Sequence, residues 1–250
     1  MFSAAELEQF NSRGYAVARG LVPPAECAAL RAVAQRDLAA ARQPVEYEAD
    51  LKYPGAPASS DAPGGKTVRR LLQAYARDPL FAHWGTAPGV ATRLKQLMGS
   101  QVELSQAHHN CVMTKNPAYS SLTNWHQDIR YWSFDRPELI SVWIALGREY
   151  AENGCLLVLP GSHTMNFKPE QLDDALFLRP EVEVNKPLIR TQQKVELDPG
   201  DVLFFHCRLL HAAGSNKTME TKFSLVYTYH TADNQPVAGS RSARVPDIPL

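Results

Sequence analysis

An imidazole and a carboxylate stand two residues apart in Asn124-Trp125-His126-Gln127-Asp128-Ile129-Arg130-Tyr131-Trp132, among aromatic and β-favouring neighbours. Alternate residues of a strand point to the same face, so His126 and Asp128 are placed to bind one metal ion while Gln127 turns to the other side. A third donor must come from elsewhere in the chain. The apolar run Asp201-Val202-Leu203-Phe204-Phe205 leads through His206 to His211, which is the candidate, with His206 competing from the same run. Two histidines and a carboxylate on one side of a metal leave positions free for a co-substrate and O2, the open arrangement of non-haem Fe(II) oxygenases. A bare His-x-Asp pair is a frequent accident of composition, so the weight falls on its surroundings.

The elements around these residues are mostly strands. Segments 102–114, 140–146, 155–159, 195–197, 202–205 and 223–229 are short, β-favouring and separated by glycine, proline, asparagine or aspartate. Before residue 101 the pattern is helical. Ser3 and Glu6 have the spacing of a capping box, with Gly14 as the stop. Residues 15–17 alternate weakly as a strand, and Pro23-Pro24 opens an amphipathic helix to residue 41 with Cys27, Leu30, Ala34 and Leu38 on one face. Residues 43–67, rich in proline and glycine, read as a long surface loop suited to a lid. Segments 68–76 and 88–98 read as helices. Many short strands after a helical start fit a jelly roll with helices packed outside it. The expected organisation is one domain over 1–250: a helical part to residue 100, a β core over about 101–230, and a C-terminal tail.

Composition narrows the partners. Lys+Arg and Asp+Glu both total 26 in 250 residues, with no block of either sign, so neither nucleic acid nor an anionic membrane surface is implied and the expected ligand is small. The start lacks the basic and apolar regions of a signal peptide, and no apolar run is long enough to span a bilayer, which gives a cytoplasmic protein as the expectation. Cys27, Cys111, Cys155 and Cys207 are too scattered for a disulfide framework or a zinc site and are expected as mostly buried thiols.

His126-Gln127-Asp128, then Asn153-Gly154-Cys155-Leu156-Leu157-Val158-Leu159-Pro160-Gly161-Ser162-His163, then Pro199-Gly200-Asp201 leading to His211, together resemble the phytanoyl-CoA dioxygenase (PhyH) family of Fe(II)/2-oxoglutarate oxygenases over about residues 102–229. The resemblance implies a double-stranded β-helix (jelly-roll, cupin-like) core. It also implies Fe(II), 2-oxoglutarate and O2, with oxidation of an unactivated C–H bond of a small molecule and release of succinate and CO2. Family spacing favours His211 over His206, giving His126, Asp128 and His211 as catalytic metal ligands. In similar halogenases a small residue replaces this aspartate, so Asp128 favours hydroxylation or desaturation. His163 is expected to brace a turn.

The same resemblance places Lys222, Cys111 and Ser224 at the co-substrate and His109, Trp132 and Arg130 at the substrate. The first-strand class His109, Cys111 and Met113 matches the family's pocket-facing parity. Two positions depart from the pattern: Ala213 replaces a small hydroxyl residue two places after the distal histidine, and Lys222 replaces an arginine eleven places after it. A buried dicarboxylate needs a cation at its free end, so Lys222 is expected to face inward beside Ser224 and Val226; were it in solvent, Lys115 or Arg208 would be the alternatives. The competing functions are a non-catalytic metal- and 2-oxoglutarate-binding jelly roll and a cupin-like metal-dependent hydrolase or isomerase.

Overall fold

A computed structural model describes residues 1–51, 53–99 and 101–250. The chain runs α1 (Ala4–Arg13), β1 (Tyr15–Ala18), α2 (Pro24–Ala39), β2 (Val45–Tyr47), β3 (Val68–Leu72), α3 (Ala74–Arg77), α4 (Pro79–Thr86) and α5 (Pro88–Met98). It continues through β4 (Val102–Lys115), β5 (Thr123–His126), β6 (Ile140–Ala145), β7 (Leu156–Val158), α6 (Lys186–Ile189), β8 (Gln193–Val195), β9 (Val202–His206), β10 (His211–Ala213), β11 (Lys222–Thr231) and β12 (Ile248–Pro249). Strands β1-β9-β6-β11-β4-β3-β2 form the larger sheet, with β12 pairing β4, and β5-β10-β7-β8 form the smaller one. All the ladders are antiparallel. Two packed antiparallel sheets with helices outside are the jelly-roll arrangement.

Side-chain alternation on β11 separates two apolar layers. Phe223, Leu225, Tyr227 and Tyr229 enter the cluster under the helices, with Leu30, Phe81 and Leu94. Val226 enters the cluster between the sheets, with Trp143, Leu156, Leu203 and Phe205. The hydroxyls of Tyr227 and Tyr229 donate to the carbonyls of Phe81 and Gly85 at 2.7 Å, so α4 is hydrogen-bonded to the sheet it covers. Helix α1 starts as its capping box requires, with Ser3 Oγ accepting from Glu6 N and the Glu6 carboxylate accepting from Ser3 N. The four cysteines are buried free thiols.

Several local expectations are corrected. Residues 68–76 are a strand followed by one helical turn, because Arg70, Leu71 and Leu72 pair with Met113, Val112 and Cys111 of β4 and the ladder outweighs local helix preference. Segment 43–67 is more than a surface loop: β2 adds to the sheet edge, and Glu48 is buried, accepting from Ser121 N at 3.2 Å. Helix α4 was not expected; Asp78 caps it and Pro79 opens it. Strand β8 lies at 193–195 rather than 195–197. The C-terminal tail packs on the β core, with β12 pairing β4 and Ser242 Oγ accepting from Ser133 N at 2.9 Å.

The Pro199-Gly200-Asp201 turn sets the entry of β9. Gly200 has φ +89°, and a Cβ there would lie 2.3 Å from the Val22 carbonyl oxygen. The Asp201 carboxylate, almost fully buried, accepts from Gly20 N (2.8 Å), Asp198 N (2.9 Å) and Arg19 Nη1 (2.6 Å). Gly200→Ala therefore meets both a left-handed backbone and a rigid neighbour, and is expected to destabilise the fold by about 2 kcal/mol or more in urea denaturation.

Candidate metal centre and active-site cavity

His126 ends β5 and His211 begins β10, and the two are direct partners across that ladder, with ring centroids 4.2 Å apart. Each ring is fixed by a local bond: His126 Nδ1 lies 2.8 Å from the Asn124 carbonyl and His211 Nδ1 lies 3.0 Å from the Leu209 carbonyl. A carbonyl only accepts, so each Nδ1 carries the proton and each Nε2 keeps a free lone pair. Those Nε2 atoms lie 3.8 and 3.6 Å from Asp128 Oδ1. Asp128 is not on the strand as expected; β5 stops at His126, and Asp128 opens a 3-10 turn over Asp128–Tyr131. That turn is pinned by Ile129 N donating to Cys207 O at 3.1 Å, and it still brings the carboxylate to the histidines.

Among the described residues, one ligand atom from each of His126, Asp128 and His211 lies within 4.8 Å of the others, and all three residues are buried. Two imidazole lone pairs and a carboxylate in this compass fit a single divalent ion. Burial, then His211, hold His126 well below the ordinary histidine range, so it is neutral as a ligand must be. Burial pushes the Asp128 carboxyl up, but His109, His211, His126 and the Ser141 hydroxyl outweigh it and keep the group ionised. Ser141 Oγ donates to Asp128 Oδ2 at 2.9 Å. A serine in the otherwise apolar run of β6 is the sequence signal for this support. Ser141→Ala is expected to weaken metal affinity by about tenfold to hundredfold, read by metal titration, with the circular dichroism spectrum unchanged.

Segment 153–163 acts as a brace. Ser162 Oγ accepts from Leu210 N at 2.8 Å, beside the distal ligand. Asn153 bonds Tyr150 N (2.9 Å) and Arg148 O (2.7 Å) within its turn. His163 Nε2 bonds the Asn11 carbonyl of α1 at 3.1 Å, so it ties that helix to the segment rather than bracing its own turn. His206 lies away from the metal donors, its ring tilted against His163 with centroids 5.5 Å apart and its Nδ1 accepting from Arg208 N.

The donors open into a cavity of about 260 Å³, just under the roughly 300–1,000 Å³ of small-molecule sites. His109, Cys111, Met113 and Lys115 of β4 line it, and so do His108 and Thr114. Both parities appear near His108 because β4 bulges: its pairing with β11 jumps from Asn110–Tyr227 to Ser105–Thr228. His109 Nε2 stands 3.7 Å from Asp128 Oδ1, and Trp132, buried, packs edge-on to the His109 ring. Burial pulls His109 down to about 4 and pushes Cys111 up to about 11, so both are neutral. Arg130 is not among the lining residues; its guanidinium stacks 3.6 Å over Phe177. Residues the sequence reading did not single out, Arg69, Arg70, Trp143 and Arg241, also line the cavity.

Lys222 lines the cavity as well and is almost fully buried. Its Nζ donates to Glu149 Oε2 at 2.9 Å and sits 4.9 Å over the Trp143 ring. Glu149 Oε1 accepts from Trp143 Nε1 (2.9 Å) and Ser224 Oγ (2.7 Å), so Ser224 is engaged with Glu149 and is not among the residues facing the cavity. No motif pointed to Glu149. Arg208 bonds Met165 O and Asn166 Oδ1 outside the cavity.

The phytanoyl-CoA dioxygenase (PhyH) family model matches residues 10–224. A Caenorhabditis elegans protein described as a probable phytanoyl-CoA dioxygenase is 28% identical over 229 residues, covering 87% of this chain and 72% of its own length. EctD from S. alaskensis, solved with bound Fe, superposes with a TM-score of 0.77 at 21% identity, over 98% of this chain and 82% of that one. The epimerase SnoN from nogalamycin biosynthesis, solved with Fe3+ and alpha ketoglutarate, gives a TM-score of 0.73 at 22% identity, over 98% and 94%. At those identities the two structures speak for the fold. Extent of the family match, fold and the His126, Asp128 and His211 set agree: the chain belongs to the phytanoyl-CoA dioxygenase (PhyH) family and is an Fe(II)- and 2-oxoglutarate-dependent dioxygenase.

Proposed function

We propose that this protein hydroxylates an unactivated C–H bond of a small molecule, with release of succinate and CO2. The observation that carries the reading is the donor set itself, with both histidine lone pairs and the Asp128 carboxylate turned to one point on the cavity wall. Bound Fe(II) and 2-oxoglutarate supply the oxidising chemistry. The chain's own work is positioning and exclusion of water. His126, Asp128 and His211 would hold the metal, and all three donors come from one wall of the cavity. Ser141 keeps the carboxylate turned toward it. Met113, Trp143, Leu156 and Phe205 give the cavity an apolar wall, while His109 and Trp132 shape the part beside Asp128 where the substrate lies. Lys222 holds the far carboxylate of the co-substrate.

SnoN carries the same fold and is described as an epimerase, so the fold does not fix the outcome; the residues around the metal do. The Asp128 carboxylate fills the position that a halide would need, which favours hydroxylation. The test is an untargeted metabolite screen of iron-loaded protein with 2-oxoglutarate and O2. A product heavier by one oxygen, formed in equal amount with succinate, is expected. Succinate formed with a product of unchanged mass would replace hydroxylation by isomerisation. Binding without succinate would make the protein a sensor.

A further inference from the structure

We propose that Glu103, His230 and Asp247 form a second metal site, separate from the catalytic centre, which takes a zinc-class divalent cation and clips the C-terminal segment to the larger sheet. Glu103 of β4 and His230 of β11 are direct partners on their ladder, and Asp247 stands just before β12, whose Pro249 pairs with the same Glu103. Three segments therefore bring their donors to one point. One ligand atom from each residue lies within 4.8 Å of the others, the same compass as in the His126, Asp128 and His211 set.

His230 has no exposed surface, and the Phe134 ring packs against its own with centroids 4.9 Å apart. Its Nδ1 lies 3.0 Å from the Thr231 carbonyl. That oxygen only accepts, so Nδ1 carries a proton and Nε2 is left with a lone pair, the arrangement already met in His126 and His211. Nε2 stands 3.0 Å from Asp247 Oδ2, yet neither Nε2 nor Asp247 Oδ1, both buried, has a hydrogen-bond partner. The contact is close but not aligned. A proton on Nε2 would point along the ring axis and meet the carboxylate badly, whereas an ion set off the line between the two atoms meets both. Buried polar atoms left without a partner cost free energy, and a bound cation removes that cost.

Charge points the same way. Among the described residues neither Glu103 nor Asp247 pairs with a lysine or an arginine, so a protonated His230 would offset one carboxylate and a divalent ion offsets both. One imidazole nitrogen with two carboxylates suits zinc and its first-row neighbours, while calcium and magnesium prefer oxygen throughout. Glu103 and Asp247 are only partly buried, which leaves water to complete the ion's coordination.

The segment held in this way reaches the catalytic cavity. Ser242 Oγ lies 2.8 Å from His108 Nε2, and Arg241 lines the cavity itself, while β12 contributes a strand of two residues. An ion on Asp247 therefore steadies one wall of the cavity from outside it.

The experiment titrates zinc by calorimetry into chelator-treated protein. The wild type is expected to bind at the catalytic centre and at this site, and His126→Ala/His211→Ala, which vacates the centre, is expected to retain the second event. Adding Asp247→Asn or Glu103→Gln to that variant should abolish it; both keep the side chain's shape and spare the buried ring. Trypsin gives a second readout, since Arg241 and Arg244 are exposed on the clipped segment. With zinc at about ten times its Kd, cleavage there should slow by about tenfold in His126→Ala/His211→Ala and not at all once Asp247→Asn is added. No zinc uptake by His126→Ala/His211→Ala would overturn the proposal and leave His230 and Asp247 as an ion pair only. Uptake that survives both Asp247→Asn and Glu103→Gln would overturn it too, by placing the ion elsewhere.

Discussion

His211→Ala is expected to lose iron while His206→Ala keeps it. The two histidines lie in one run of sequence and are both buried or nearly so, yet the fold turns them to different neighbours. His211 presents Nε2 to Asp128 at 3.6 Å with its Nδ1 proton parked on Leu209 O, whereas His206 packs on His163 and accepts from Arg208 N. Burial, then His163, also hold His206 down to about 4, so it is neutral and available but points elsewhere. Loss of a supporting group typically lowers metal affinity by about tenfold to hundredfold, and loss of a ligand atom is expected to exceed that range. Metal analysis of anaerobically reconstituted variants gives the answer. Full occupancy in His211→Ala with an empty His206→Ala would exchange the two residues. Asp128→Ala should behave as His211→Ala does, and Asp128→Asn, which keeps one oxygen but no charge, should fall between.

Removal of Lys222 or of Glu149 is expected to cost about 3–5 kcal/mol of stability, because each leaves the other as an uncompensated charge in a place nearly closed to water. Glu149→Ala does the greater harm, since Trp143 Nε1 and Ser224 Oγ lose their acceptor too. Glu149→Gln retains an acceptor and should lose less. Urea denaturation of the single variants and of Lys222→Met/Glu149→Gln closes a double-mutant cycle, in which a coupling of about 2 kcal/mol or more is expected. Additive losses would mean that the contact contributes little. The same Lys222→Met variant should bind 2-oxoglutarate about a hundredfold more weakly, the scale of a truncated buried charge pair. Lys222→Arg should retain part of the affinity if the fork fits beside Glu149. Unchanged affinity in Lys222→Met would put the co-substrate's anchor elsewhere.

Much of the centre was written in local sequence. His126, Asp128 and His211 are separated along the chain, but each sits beside signals that act over a few residues: a β-favouring run, a Gly-Asp turn, a stop after β10. The parity of β11, which sends Phe223, Leu225 and Tyr227 under the helices and Lys222 inward, follows from a strand period of two and needs no tertiary information. The scattered cysteines foretold buried thiols.

Tertiary structure decided what depends on partners distant in sequence. Residues 68–72 read locally as helix, and pairing with β4 made them a strand. The placing of Asp128 on a turn rather than on the strand with His126 depends on Ile129 N finding the carbonyl of Cys207. Arg69 became visible as a cavity residue only once the edge strand β3 had packed beside β4. Glu149 shows the limit most plainly: its sequence neighbours mark a turn, and nothing local says that three donors from β6 and β11 converge on its carboxylate. Local pattern fixes which face a side chain takes. Which charge meets which is set by contacts far apart in the chain, and those form only when the sheets pack.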